Sequence, residues 1–422
     1  MHPAENATPA SFSRLSIAVH GFLADGVPSS AGAFPLLLGE LLARGHRVDL
    51  FANPNYIRPP SLERFSGYRY VPLHVEAMER WYERVHAVNA PYASAALAQL
   101  AMLAYQREAV RRMEQEHVTR RYDVIACVDT LQLWPSKLPV ISWPQSPPHT
   151  EAAALRSPAV AANALAGSGP GYFAAVQLFY AYRKVVARAT LSYSDMFLCG
   201  SRWSRAEWLR FGAEPEHVRA LAFPLDLEPF SRVPPPGRSE PFTFLWLGRA
   251  VPRKRLDLFL SAFALLRESE PHVCARVIGN LRGEPAAERL LARHRDQPGL
   301  SVEAAVPRAN VPDLLGEVDV LVQPSQSENF GFGLAEALAA GRPVVAGPSN
   351  GTFEYADEAG FGFGEYTPAA VAAAMRRALH AVRSDGARVA EQARAAARAH
   401  FSIANVTDRF TAVCERVKSS RG

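Results

Sequence analysis

The sequence predicts an α/β protein made of two Rossmann-like, doubly wound domains that face each other across a cleft. Three observations carry this expectation. The chain has 422 residues, too many for one ordinary core, so two domains of about 200 residues each are expected. Short apolar strands alternate with helical patterns in both halves, most regularly beyond residue 242, which implies parallel pairing with helices on both faces. Between the halves, FSRVPPPGRSEP (230–241) carries three consecutive prolines, which suit neither helix nor sheet and hold a segment extended.

Along the chain, residues 1–13 are polar and read as a disordered tail. The run 15–19 is a short buried strand, followed by a loop with Gly21, Gly26 and Gly32. FPLLLGELLAR (34–44) has helical apolar spacing, Gly45 ends it, and 47–52 is the next strand. A long helical stretch covers 85–116, with strands at 122–128, 139–143 and 195–199 and a helix at 204–211. The N-terminal domain is therefore assigned to 14–230 and the linker to 231–241.

Within the C-terminal domain (242–400), strands are expected at 242–247, 273–278, 300–306, 319–322 and 343–346. The intervening helices lie at 256–267, 286–295, 311–315 and 333–340. Residues 401–422 form a C-terminal helix expected to pack back on the N-terminal domain. Ligands of such sheets bind beyond the carboxyl ends of the strands, so the cleft between the two domains is the expected site.

Composition narrows the class. The chain is 48% hydrophobic and 21% charged, which is globular, and 46 basic against 41 acidic residues leave a formal charge of only +5. Only four of the basic residues are lysines, and no basic run is interleaved with aromatics, so no nucleic-acid groove is expected. The four cysteines are far apart, without CxxC or histidines at metal spacing, which argues against a disulfide framework and against zinc. Cys127, Cys199 and Cys274 lie in apolar runs and read as buried thiols in a reducing compartment. No stretch approaches the roughly 18 apolar residues of a membrane span, so a cytoplasmic location is expected.

Two segments carry chemistry. In FLWLGRAVPRKR (244–255) a strand ends at Gly248, and the loop presents Arg249 and Lys254 just before a helix. Two cations at a strand's carboxyl end beside a helix N-terminus suit a diphosphate; the alternative is a pair of solvated loop charges. In DVLVQPSQSENFGFGLAEALAAGRPVVAG (319–347) a strand leads to a loop with Glu328, then Gly331 and Gly333 open a helix that contains Glu336. Glycines let a ligand approach the backbone, and two carboxylates flanking that turn can accept hydrogen bonds from sugar hydroxyls.

These segments resemble glycosyltransferase family 4, the retaining nucleotide-sugar transferases of the GT-B architecture. The family's Glu-x7-Glu pattern stands here as Glu328 and Glu336, and its GR-xxxx-K pattern as Gly248, Arg249 and Lys254. GTFE (351–354) resembles the family's Gly-Gly-x-Pro-Glu stretch, and the likeness is strongest over 242–354. The resemblance implies a hexosyltransferase needing neither metal nor cofactor, with a nucleotide-diphosphate sugar, UDP-sugar favoured, as co-substrate. It implies catalytic roles for Arg249 and Lys254 on the donor pyrophosphate and for Glu328 on the hydroxyls of the donor sugar. Gly248, Gly279, Asn280, Val306, Pro307, Asn329, Phe330 and Gly331 would line the donor, and Glu336 would take the ribose diol.

The N-terminal half follows the family less closely. SAGA (30–33), with Gly32, stands where the family has a Gly-Gly loop, and GELLARGHRV (39–48) matches its helix-to-strand passage. In ISWPQSPPHTE (141–151) the family's histidine after the strand is missing, which leaves Gln145 or His149 to contact the donor sugar or acceptor. The stretch AFPLDLEPF (222–230) lacks the family's Asn-Gly. His20 follows the first strand and is a further candidate, with a structural role as the alternative.

YFAAVQLFYAYRKVVAR (172–188) reads either as a core-facing helix with a solvated basic edge or as a peripheral dock for a membrane or lipid-linked acceptor. The resemblance leaves a glycan, a glycolipid or a small molecule as the expected acceptor. Rival readings are an inverting transferase or epimerase of the same architecture, or a nucleotide-sugar-binding partner without turnover.

Overall fold

A computed structural model describes residues 13–27, 29–54, 57–75, 91–147, 154, 157–237, 240–281 and 285–421. His149 and residues 1–12 of the expected tail lie outside them. The first sheet comprises β1 (Ser16–Gly21), β2 (Arg47–Ala52), β3 (Tyr68–Pro72), β4 (Val124–Asp129), β5 (Val140–Pro144), β6 (Met196–Cys199) and β7 (Val218–Ala220). They are parallel, in the order β3-β2-β1-β4-β5-β6-β7. The second comprises β8 (Thr243–Leu247), β9 (Cys274–Gly279), β10 (Leu300–Ala304), β11 (Val320–Gln323), β12 (Val344–Ala346) and β13 (Gly360–Gly362). Its order, β10-β9-β8-β11-β12-β13, repeats the same winding. Each sheet reverses direction at its first strand, so each has a crevice beyond the carboxyl ends of the β1/β4 and β8/β11 pairs. The architecture is GT-B.

The helices follow from sequence pattern. α1 (Ser30–Ala43) buries Phe34, Leu37, Leu38, Leu41 and Leu42 on one face, the spacing of a helix laid against a sheet. The others are α2 (Pro91–Arg120), α3 (Pro158–Ala189), α4 (Arg202–Phe211), α5 (Leu256–Ser269), α6 (Pro285–Arg293), α7 (Val311–Gly316), α8 (Phe332–Ala339), α9 (Pro368–Phe401) and α10 (Ile403–Arg421). Three strands were not anticipated. β3, β7 and β13 pair on one side only and are five, three and three residues long, so they need no continuous apolar run. One sequence expectation is corrected: Cys127 and Cys199 are buried, but Cys274 is half-buried, because it opens β9 near the end of the sheet.

One ionic cluster is structural. Asp49 on β2, 1% exposed, accepts hydrogen bonds from Arg69 on β3, Arg120 at the end of α2 and the Tyr122 hydroxyl. Burial alone would raise its carboxyl; these donors hold it below the ordinary carboxylate range.

The proline segment is tied to the second domain. Arg342 donates to the carbonyl of Pro234 at 2.6 Å, Arg394 to that of Val233, and the Gly237 N–H donates to Asp319 at 2.6 Å. The chain crosses between domains again after α9, where Ser402 bridges to Leu225. α10 then lies on α1, β4 and β5 of the first domain, with Phe410 stacked on Trp143 at 5.9 Å and Lys418 paired with Asp123 at 2.9 Å. No helix among the described residues is long and apolar enough to cross a membrane.

Candidate active site

A cavity of about 490 Å³ lies where the two crevices meet. Its C-terminal wall is made by the loops after β8, β9, β10 and β11. Two of these come so close that only glycine fits. A Cβ on Gly279 would stand 1.7 Å from the Gly248 carbonyl oxygen, and Gly248 itself has φ +148°. The β8 and β11 loops are stitched together by Gln326 N–H to the Arg253 carbonyl (2.8 Å) and by the Arg255 guanidinium to the Gln326 side chain (3.1 Å).

Glu328 sits at the centre of this stitch. Its Oε2 is 2.9 Å from Arg253 Nη1 and 2.8 Å from Lys254 Nζ. Burial would raise the carboxyl, but the two cations outweigh it and hold Glu328 at about 2. Lys254 moves the other way, downward, because its burial outweighs the favourable field of Glu328. Ser327, just before Glu328, has φ +68°, a left-handed conformation that a non-glycine residue holds at a cost of about 1 kcal/mol. The exposed Arg249 completes the cationic side.

Glu336 lies on α8, the helix that Gly331 caps with its N–H on Thr352 Oγ1 (2.9 Å). The first turn of α8, at Phe332 and Gly333, opens on the cavity, where helix N–H groups favour an anion. Glu336 is 4% exposed and burial pushes its carboxyl up to about 7, with Arg308, 3.8 Å away, pulling the other way. Its Oε1 has no hydrogen-bond partner, and neither do Gln323 Oε1 and Asn329 Oδ1. All three residues line the cavity. Buried polar atoms are normally satisfied, so this wall awaits a polar ligand.

The N-terminal domain closes the other side with Ser29, Ser30, Gln145, Ser146 and Phe223. Hydrogen bonds cross the cleft from Arg308 to the Val27 carbonyl, from Asn329 to the Gln145 carbonyl, and from Ser201 to the Asn329 carbonyl (3.0 Å). Glu354 of the GTFE stretch accepts the N–H groups of Arg202 and Trp203 at 2.7 and 3.1 Å and so caps α4 of the opposite domain. α3 also reaches over the cleft to the 252–254 turn and α6.

Of the residues singled out from sequence, Gly248, Arg249, Lys254, Gly279, Asn280, Val306, Glu328, Asn329, Phe330, Glu336 and Gln145 line this one cavity. Gly331 stands behind it as the cap of α8, and Pro307 lies between the lining residues Val306 and Arg308. Gly32 does not line it; a Cβ there would meet the Val27 carbonyl oxygen at 1.9 Å, so its task is close packing. His20, expected on the cleft, is instead wholly buried and neutral, its pKa lowered by burial to about 4 against the opposing bond from Gln132. Gln132 donates to the Trp134 carbonyl at 2.6 Å, so its oxygen accepts from His20 Nε2 at 2.8 Å. Sequence reasoning missed Arg253, Arg308 and Gln323. Arg253 and Gln323 lie in the two stretches already singled out, whereas nothing in the sequence marks Arg308.

Residues 229–396 match the family model described as glycosyl transferases group 1. Among curated proteins, the chain is 33% identical over 218 residues to a D-inositol 3-phosphate glycosyltransferase of Kineococcus radiotolerans, covering 45% of this chain and 49% of that one. A protein of the same description from Streptomyces coelicolor is 28% identical, covering 37% and 41%. The chain thus spans between two fifths and a half of these relatives' length. Among solved structures, a sucrose-phosphate synthase from Thermosynechococcus elongatus superposes with a TM-score of 0.65 at 17% identity over 96% of this chain and 100% of that one. Anabaena HepE in complex with UDP-glucose does so at 0.59 and 16%, over 96% and 100%. These likenesses confirm the two-domain fold.

Proposed function

We propose that the chain is a retaining glycosyltransferase that moves a sugar from a nucleotide-diphosphate sugar, UDP-sugar favoured, to a hydroxyl of a glycan, glycolipid or small molecule. The observation that carries the reading is the cavity wall itself. Arg249, Arg253 and Lys254 stand on one side, and on the other stand oxygens of Gln323, Asn329 and Glu336 that accept no hydrogen bond. Cations and a helix N-terminus take the diphosphate; carboxylates and amide oxygens take hydroxyls.

In this reading the acceptor oxygen attacks the anomeric carbon on the face that the diphosphate leaves. The bond from carbon to phosphate oxygen breaks, and the acceptor proton passes to the departing oxygen. Charge grows on the diphosphate during that step, and Lys254 and Arg249 stabilise it. Glu328, kept ionised by Arg253 and Lys254, accepts from hydroxyls of the donor sugar. Glu336 accepts from the ribose diol.

Calorimetric titration with UDP, GDP, ADP and dTDP tests the donor site: one nucleotide should bind selectively, and binding of none would sink the reading. Lys254→Ala should lower kcat by about a hundredfold, and a loss of only a few-fold would make Lys254 a loop charge. The anomeric configuration of the product, read by NMR, separates retention from inversion. A binding partner without turnover is the second reading, favoured by the exposed Gln145 standing where the family has its histidine; donor hydrolysis would exclude it.

The same proposal includes a peripheral membrane contact. Leu178, Tyr182 and Val185 form an exposed stripe on α3, 74%, 38% and 69% accessible, beside the exposed Lys184 and Arg188. The protein should sediment with anionic vesicles, and Leu178→Glu with Val185→Glu should release it; equal binding by the double variant would overturn the contact.

A further inference from the structure

The Glu328 carboxylate is gripped from the front by Arg253 and Lys254. The turn that carries it is also held from behind, by a residue of another loop. Tyr366 lies between β13 and α9, outside the residues that line the cavity. Its hydroxyl donates to the Ser325 carbonyl at 3.2 Å. A phenol has a single proton to give, so toward Ser349 it accepts, and the Ser349 hydroxyl is the donor. Ser349 Oγ in turn accepts the Ser327 N–H at 3.3 Å. The bonds run one way, from the Ser327 N–H through two hydroxyls to the Ser325 carbonyl, and clasp residues 325–327 at both ends.

The phenol has a fitted seat. Its ring packs edge-on against Phe363, with centroids 5.3 Å apart. A Cβ on Gly347 would stand 2.7 Å from the Tyr366 oxygen, so the glycine leaves the room that the hydroxyl takes. Burial raises the phenol above its ordinary range, with the bonds to Ser349 opposing, so the hydroxyl keeps the proton it donates.

The clasp holds a strained piece of backbone. Ser327 has φ +68°, and a serine stays left-handed only where its surroundings fix it. The next residue is Glu328, whose N–H donates to the Ser349 carbonyl at 2.9 Å and whose carbonyl accepts the Gly351 N–H at 2.7 Å. Ser349 therefore holds Ser327 by its side chain and Glu328 by its backbone. Ser327 and Glu328 both line the cavity, so the clasp sets the wall without touching a ligand. Its bonds end on residues 325 and 327, and none of them runs to Lys254 or Glu336.

We propose that Tyr366 is a positioning residue for the donor sugar: through Ser349 it fixes the turn that aims the Glu328 carboxylate, and it leaves the nucleotide half of the site alone. The role toward the sugar rests on the transferase reading above; the clasp rests on its own bonds. Without it the turn can relax from the left-handed conformation, and the carboxylate is free to follow Arg253 and Lys254 instead of facing the sugar hydroxyls.

Tyr366→Phe removes the hydroxyl and keeps the ring on its seat. Calorimetric titration compares this variant with the wild type on matched pairs: UDP and UDP-glucose, GDP and GDP-mannose, ADP and ADP-glucose, dTDP and dTDP-glucose. For the pair that the wild type binds, the variant should weaken the nucleotide sugar by about tenfold and leave the free nucleotide unchanged. Ser349→Ala cuts the same chain of bonds, so the double variant should do no more than either single one. Hydrogen exchange at residues 325–328 should quicken in all three variants, with or without ligand. Unchanged exchange would overturn the clasp. Nucleotide and nucleotide sugar weakened alike, neither weakened, or additive losses in the double variant would overturn the positioning role. If the wild type binds none of the pairs, the transferase reading falls and the sugar role with it, while exchange at 325–328 still decides the clasp.

Discussion

Two buried glutamates share one cavity and differ in charge because of what stands beside them. Glu328 has two cations within hydrogen-bond distance and stays ionised; Glu336 has one, at 3.8 Å, and titrates at about 7. The folded value for Glu336 lies above its unfolded one, so ionisation opposes folding, and wild-type stability falls as pH rises through 7. The cost above pH 8 is about 3 kcal/mol. Glu336→Gln should therefore raise Tm at pH 8 and leave it unchanged near pH 4, as differential scanning fluorimetry would reveal.

Ribose hydroxyls bind the ionised form better, so nucleotide affinity should be flat above pH 8 and fall by about tenfold per unit below 7. The Gln variant should lose both the affinity and the slope. A pH-independent Kd in the wild type would take the ribose from Glu336. These two carboxylates were legible in the sequence because their setting, strand, glycine turn and helix, is local. Arg308 was not, because its meeting with Glu336 depends on how the β10 loop folds over α8.

At the level of elements, most of the C-terminal sheet was legible, since β8, β9, β11 and β12 are largely buried apolar runs separated by helical spacing, while the exposed edge strand β10 was read from its place between two helical patterns. The edge strands β3, β7 and β13 escaped, since half their partners are solvent. His20 misled for a related reason: position after a strand places a residue near the crevice but does not say which way the side chain turns, and Gln132 turned it inward. The β8–β9 junction is a tightly packed part of the cavity wall. Gly279→Ala would drive a methyl group into the Gly248 carbonyl oxygen at 1.7 Å, costing about 3 kcal/mol. Urea denaturation should register that loss, accompanied by weaker nucleotide binding because Gly248 is pushed into the cavity. Full stability in this variant would mean that the two loops do not touch as described.

For the whole molecule, the seam between domains joins polar bonds across the cleft to an aromatic cluster that runs from the cavity wall to the end of α9. Phe223 meets Phe330 at 5.3 Å and Phe332 at 5.7 Å, and Phe330 meets Phe401 at 5.6 Å. α10 extends the seam by covering the first domain from the far end of the chain. Phe410, 1% exposed, should cost about 3–5 kcal/mol when cut to alanine. The damage should appear in the first domain: hydrogen exchange should quicken in α1, β4 and β5 and not in β8 to β12. Faster exchange confined to the second domain would contradict the packing.

That cover also sets an order of events during synthesis. Arg44, which caps the C-terminus of α1, meets Ala404 at the start of α10 across 360 positions of chain. A nascent first domain therefore leaves the ribosome with its α1 flank bare, and keeps it bare while the entire second domain is being translated. Domains emerging in sequence usually fold in sequence. Here the earlier one cannot complete the cover of its α1 flank until α10 has been made.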